Sequence, residues 1–182
     1  MAFTRESSCH AVCKLFLTIL RLPDNCTFEH GALAEPLSVL IHASRRADLA
    51  PGQTVLVFGV GTIGMLACAL AKSIGATHIV AIDKDQTRLD FAKSNGFASK
   101  TFCVPSADRA KTTDEQLRRA KEQIQNALAE FNEKDGFDVV FECTGAESCI
   151  QMAVHVRCYA LLPIRPTADT ITPFRQLSLG ER

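Results

Sequence analysis

Tryptophan is absent from the 182-residue chain, tyrosine occurs once, and aromatic residues make up only 7% of it. Neither sign of charge is in excess, with 20 Lys and Arg against 20 Asp and Glu. That balance removes the electrostatic case for a nucleic-acid partner or an anionic membrane surface. No apolar run approaches the roughly 18–20 residues that a bilayer crossing needs. The most apolar N-terminal stretch, Leu15 to Leu20, is too short for the core of a secretory signal and carries Lys14 at its edge. Internal repeats and low-complexity tracts are missing as well. What is present is globular: 47% hydrophobic and 22% charged residues lie far from the composition of disordered chains. The length suits one domain of roughly 100–200 residues, and the expectation is a cytoplasmic protein.

The eight cysteines contain no Cys-x-x-Cys pair. Cys68, Cys103 and Cys143 fall inside apolar runs, where they read as small buried hydrophobes rather than as a disulfide framework. Cys9, His10 and Cys13 are close in sequence, but a structural zinc site takes about four organised ligands and nothing nearby completes the set.

Hydrophobic period organises the middle of the chain. Thr27 to Ala47 reads as helical, with Pro36 either interrupting the helix or opening a new one. After the turn Ala50-Pro51-Gly52-Gln53, the apolar, β-branched run Thr54 to Phe58 predicts a strand buried on both faces. A buried helix follows over Met65 to Ser73, stopped by Gly75. His78 to Ile82 is a second strand ending at Asp83, Asp85 to Ser94 a helix, and Thr101 to Val104 a third strand. Leu117, Ala120, Ile124, Leu128 and Phe131 form one apolar stripe on a charged helix from Asp114 to Glu133, with Thr112-Thr113 at its N-cap. Phe137 to Glu142 is the fourth strand. This alternation predicts an α/β fold with a doubly wound parallel sheet. About four strands are legible, short of the six of a complete nucleotide-binding sheet. After Ala153 the pattern decays into Pro163, Pro166 and Pro173 without a further strand.

Gly59-Val60-Gly61-Thr62-Ile63-Gly64 stands between a predicted strand and a predicted helix, the context that gives a G-x-G-x-x-G turn its meaning. Gly59 takes the tight turn, Gly61 admits a diphosphate to the backbone, and Gly64 lets helix and strand pack closely. The helix mouth offers unpaired N–H groups and the positive end of its dipole. Asp83 ends the second strand, where a carboxylate can accept both ribose hydroxyls and repel a 2′-phosphate, favouring NAD over NADP. Arg88 could pair with a 2′-phosphate, stack on adenine, brace the ribose, or stand as a solvated helix residue.

Leu33-Ala34-Glu35-Pro36-Leu37-Ser38-Val39, the run Gly52 to Val57, the glycine turn, Asp83 with Arg88, and Phe141-Glu142-Cys143-Thr144-Gly145 together resemble the medium-chain zinc-dependent alcohol dehydrogenases. Within them the match is to the polyol branch of sorbitol, xylitol and L-arabinitol dehydrogenases, from about Leu22 to about Met152. The resemblance implies NAD-dependent oxidation of a secondary alcohol of a sugar alcohol to a ketose, by a two-domain, zinc-dependent and commonly tetrameric enzyme. It places Glu35 beside the catalytic zinc, as a metal ligand or through its water, orienting a substrate hydroxyl. Ile63 would pack on the nicotinamide side, Asp83 would hold the ribose, Arg88 would border the adenosine, and Thr144 would join them at the cofactor. Without the resemblance, Glu35 before Pro36 reads as a carboxylate serving a helix N-terminus.

The sequence also departs from that family. The catalytic, GroES-like domain with its Cys and Gly-His-Glu zinc ligands is not found upstream of Leu22, and neither His10 nor His30 stands in that context. The expected organisation is an atypical segment 1–21, a helical linker 22–50 bearing the Glu-Pro-Leu-Ser motif, a partial Rossmann-type NAD-binding domain 51–152, and an atypical, poorly structured tail 153–182. A truncated product or an imperfect gene model would account for both ends, and zinc would not be retained. An exposed outer edge on the fourth strand would invite aggregation, a covering partner or homo-oligomer formation. A non-enzymatic NAD-binding module is the alternative function. A methyltransferase with the same glycine turn is disfavoured by the Glu-Pro-Leu-Ser segment.

Overall fold

The computed structural model describes residues 22–105, 112–131, 136–156 and the backbone of 158–163. Cys9, His10 and Cys13, the run Leu15 to Leu20, and the prolines at 166 and 173 lie outside the described residues. The chain divides into two compact units, Met1–Glu35 and Pro36–Arg182.

In the first unit the described residues open helix α1, Phe28–Arg46. Thr27 caps it reciprocally with His30: the His30 N–H donates to Thr27 Oγ1 at 3.3 Å and the Thr27 N–H to His30 Nδ1 at 3.2 Å. This is a capping box with imidazole in the place usually taken by Glu or Gln. The sequence leaves Pro36 as a break or a new start, but it lies inside a single helix. There its ring removes one intrahelical hydrogen bond.

The second unit holds the sheet. Strands β1 (Thr54–Phe58), β2 (His78–Asp83), β3 (Lys100–Cys103), β4 (Phe137–Glu142) and β5 (Cys158–Pro163) run parallel in the order β3-β2-β1-β4-β5. Helices α2 (Thr62–Ile74), α3 (Gln86–Ser94), α4 (Thr113–Phe131) and α5 (Glu147–Val154) connect them. Successive strand residues point to opposite faces, so each strand feeds two cores. Val55, Val57, Ala81, Val139 and Phe141 pack with Leu40 and Ala43 of α1, Ala67, Cys68 and Ala71 of α2, and Leu89 and Ala92 of α3. Leu56, Phe58, Val80, Ile82 and Val140 pack on the other side with Ala120, Ile124 and Ala127 of α4 and Met152 of α5. Val55 to Phe58 are wholly buried, which is why their run carries no polar alternation.

Three expectations are corrected here. Among the described residues the sheet has five strands rather than about four, because residues 158–163 pair with β4 from Phe137↔Cys158 to Glu142↔Pro163. The prolines that make this stretch read as loop include Pro163, the last residue of β5; proline lacks the ladder N–H and is tolerated at an outer strand. The outer edge of β4, expected to be exposed, is therefore covered, and the stretch called a poorly structured tail contributes a strand. Helix α5 was equally illegible as an element, being only 8 residues long.

At the N-terminal end of the strands, β1 and β4 are fastened by one reciprocal pair. Asp138 Oδ2 accepts from the Thr54 N–H at 2.7 Å and the Thr54 hydroxyl at 2.9 Å, and Thr54 Oγ1 accepts from the Asp138 N–H at 3.1 Å. Replacing Asp138 with Ala leaves two half-buried donors unpaired. The expected loss is about 2 kcal/mol of unfolding free energy, read as a lowered denaturant midpoint with an unchanged slope. An unchanged midpoint would show that the pair does not fasten the sheet.

Candidate functional site

The strand order reverses direction between β1 and β4, and their carboxyl ends open into a cleft of about 780 Å³. Open α/β sheets bind ligands at such a switch point. Gly59, Gly61, Asp83, Arg88 and Thr144 all line this cleft. Five of the eight residues singled out from the sequence therefore meet in space.

The turn leaving β1 is knit to both neighbours: the Gly59 N–H donates to the Ile82 carbonyl at 2.7 Å and the Cys143 N–H to the Phe58 carbonyl at 2.9 Å. Gly59 has φ of +81°, a conformation that side chains with a Cβ rarely adopt, and a Cβ there would run into the Thr144 methyl. Gly64 is required for a different reason. It packs directly on the Gly59 carbonyl, which any Cβ at this position would overlap.

Helix α2 starts at the cleft, and its N-cap, Gly61, supplies no side-chain hydrogen bond. The first amides of a helix have no partner within it, so this mouth keeps its donors and its positive dipole end for an anion. Helices α3 and α4 differ. Asp85 accepts from the Thr87 N–H at 3.0 Å and the Arg88 N–H at 3.4 Å, and Thr112 Oγ1 accepts from the Glu115 N–H at 3.2 Å.

Asp83 is 9% exposed and far from the solvated carboxylate that a bare sequence allows. Its Oδ2 accepts from the Val60 N–H at 2.6 Å, inside the glycine turn, and its Oδ1 from the Asp85 N–H at 3.0 Å. Each carboxylate oxygen has a second lone pair, so Asp83 can brace the turn and still accept from hydroxyls in the cleft. Arg88 bridges to Asp85 at 3.4 Å, with its side chain 56% exposed. Its Nη1 stands 4.0 Å from the point a Cβ on Gly61 would occupy.

Gly64 lies beneath the turn, and Ile63 is half-buried against the core of α1, α2 and α3; neither lines the cleft. Glu35 is exposed on α1, in the first unit. Among the described residues no group of three or more His, Cys, Asp and Glu side chains gathers to hold a metal ion. Zinc therefore does not fit the donors described. Among those residues, too, no helix is long and apolar enough to cross a membrane.

The cleft has lining residues that the sequence reading missed. Gln116, Arg119 and Gln123 of α4 reach it beside Ala120. Their spacing of three and four is visible in the sequence, but beside the apolar stripe they belong to an otherwise charged helix with no local sign of a ligand. Glu142, at the end of β4, is 1% exposed, a burial that its place in the Phe-Glu-Cys-Thr-Gly motif does not reveal. Cys143 and Cys149 also line the cleft. Burial pushes both thiols upward, with the Glu142 charge adding to the effect. Neither is a thiolate nucleophile near neutral pH.

The cleft thus sets an uncapped helix mouth, able to take an anion, beside a buried carboxylate able to accept hydroxyls. Residues 62–159, just over half of the chain, match the zinc-binding dehydrogenase family. D-xylulose reductase A of Aspergillus niger is 39% identical over 136 residues, covering 75% of this chain and 35% of that protein. Galactitol-1-phosphate dehydrogenase of Escherichia coli superposes with a TM-score of 0.58 at 30% identity, over 77% of this chain and 36% of that one. L-idonate 5-dehydrogenase of Escherichia coli does so with a TM-score of 0.54 at 30% identity, over 74% and 33%. The chain spans about a third of the length of these relatives. It belongs to the zinc-binding dehydrogenases and carries the parallel-sheet, Rossmann-type part of that fold.

Proposed function

We propose that the cleft binds NAD and that the chain serves the NAD-dependent oxidation of a secondary alcohol of a sugar alcohol to the ketose. The observation that carries this reading is the uncapped mouth of α2 opening beside the buried Asp83 carboxylate. The relatives named as D-xylulose reductase, galactitol-1-phosphate dehydrogenase and L-idonate 5-dehydrogenase support the substrate class.

Each residue of the turn has a part in this reading. The first amides of α2, from Gly61 onward, take the diphosphate, and Gly59 and Gly64 keep the backbone close enough for it to approach. Asp83 accepts the adenosine ribose hydroxyls and opposes a 2′-phosphate, while Arg88 borders the adenosine and Thr144 faces the turn from β4. Ile63 stands on the first turn of α2, toward the nicotinamide. When bound, NAD would supply the acceptor for the hydride of the carbinol carbon, with the hydroxyl proton lost separately. Glu35 keeps its proposed place at a substrate hydroxyl, with no step assigned to it through zinc. In this reading the protein works in the cytoplasm on a small polyol, with neither nucleic acid nor membrane as a partner.

A second reading, an NAD-binding module without dehydrogenase activity, is favoured by one observation. Among the described residues no group of three or more His, Cys, Asp and Glu side chains gathers to hold a metal ion. NADH formation from xylitol or sorbitol with added zinc separates the two: turnover supports the dehydrogenase, and NAD binding without turnover supports the module.

Calorimetric titration tests the cofactor assignment. NAD is expected to bind more tightly than NADP, and Asp83→Ala to lower NAD affinity roughly tenfold or more while narrowing that preference. Absence of NAD binding, or an Asp83→Ala protein that binds NAD unchanged, would overturn it.

A further inference from the structure

Glu142 is almost fully buried, and none of the roles above uses its carboxylate. A buried charge is costly unless it is well hydrogen-bonded, and this one is. Its Oε1 accepts from the Thr144 N–H at 2.8 Å and from the Gly145 N–H at 3.2 Å, its Oε2 from the same Gly145 N–H at 3.1 Å, and the Thr144 hydroxyl donates to it through a short bond. Thr144 Oγ1 in turn accepts from the Ala146 N–H at 3.0 Å. The hydroxyl proton is thus committed to Glu142. What Thr144 presents to Gly59 is its methyl, which stands too close to the point of a Cβ there for one to fit. Glu142 also pairs in register with Phe58, the residue just before Gly59.

We infer that Glu142 is a positioning residue for the dinucleotide. It fixes the Thr144 rotamer, the Thr144 methyl seats against Gly59, and the glycine turn is held at the spacing its diphosphate amides need. The turn is then clamped from both flanks by carboxylates, Asp83 through the Val60 N–H and Glu142 through Thr144. The two differ in reach: Asp83 also faces the ligand's sugar, whereas Glu142 acts only through Thr144. This inference rests on the cleft being the NAD site.

The test compares NAD, ADP and adenosine binding to the full chain and to Glu142→Gln and Thr144→Ser, with thermal unfolding measured in parallel. Gln turns one acceptor oxygen into an N–H donor facing the donors of Thr144 and Gly145. Ser keeps the hydroxyl network and removes only the methyl, so it reads the contact with Gly59 even if the Gln variant fails to fold. Each variant is expected to lose roughly tenfold in NAD and ADP affinity, with adenosine binding unchanged, because the clamp governs the diphosphate and Asp83 the sugar. Equal losses for all three ligands, a lower unfolding temperature with unchanged affinities, or a Thr144→Ser protein that binds like the parent would overturn the inference. So would tighter NAD binding by Glu142→Gln, the sign expected if the carboxylate merely repelled the diphosphate. Failure of the parent chain to bind NAD at all would instead remove the reading beneath it.

Discussion

Between the last residue of β1 and the first turn of α2, the chain has to leave a fully buried strand, reverse, and start a helix whose mouth faces outward. Two glycines make that path available. Gly59 supplies a left-handed backbone at φ +81°, and Gly64 supplies contact between helix and turn without an intervening side chain. The free energy that holds the path comes from its neighbours. Backbone hydrogen bonds tie the turn to β2 and β4, and the two-faced core keeps those strands rigid. A turn that is this constrained loses little conformational entropy when a ligand arrives, which is the physical sense in which the site is preorganised.

Helix termini around the cleft divide the electrostatic work. Where a helix needs only to be stable, a side chain satisfies its first amides, as Asp85 does for α3 and Thr112 for α4. Helix α2 has no side-chain cap, and its opening is the one at the strand-order reversal. Helix α5 also begins at the cleft without a side-chain cap, but Glu147 in its first turn already answers the dipole. An anion entering the cleft therefore meets the dipole field of α2 and backbone donors at Gly61 to Ile63 that no side chain caps. The two buried carboxylates stand beside that field rather than in it, each spent on backbone N–H groups that would otherwise distort the turn.

Much of this was legible in the residues. Strand β1 announced itself because burial on both faces leaves an unbroken apolar run, and Asp83 because it terminates another. The stripe from Leu117 to Phe131 placed α4 for the same reason, since a helix covering one face of a sheet must repeat every three to four residues. Other features were not local enough to read. Strand β5 exists through pairing with β4, and its prolines speak for a loop until that partner is present. Gln116, Arg119 and Gln123 reach the cleft only because α4 crosses the sheet at that height. Glu142 gave no sign of burial, because nothing in Phe-Glu-Cys-Thr-Gly says that its own following residues will fold back to supply the donors. Ile63 and Glu35 were named from resemblance, and neither lines the cleft.

The account turns on diphosphate recognition by backbone amides at the mouth of α2. Its most direct measurement is an amide-resolved NMR titration of the isotope-labelled chain with NAD. The amide signals of Gly61, Thr62 and Ile63 are predicted to move together and saturably, accompanied by Val60 as Asp83 engages the ribose. Saturable NAD binding that leaves those amides unmoved, with shifts confined to another part of the molecule, would contradict it.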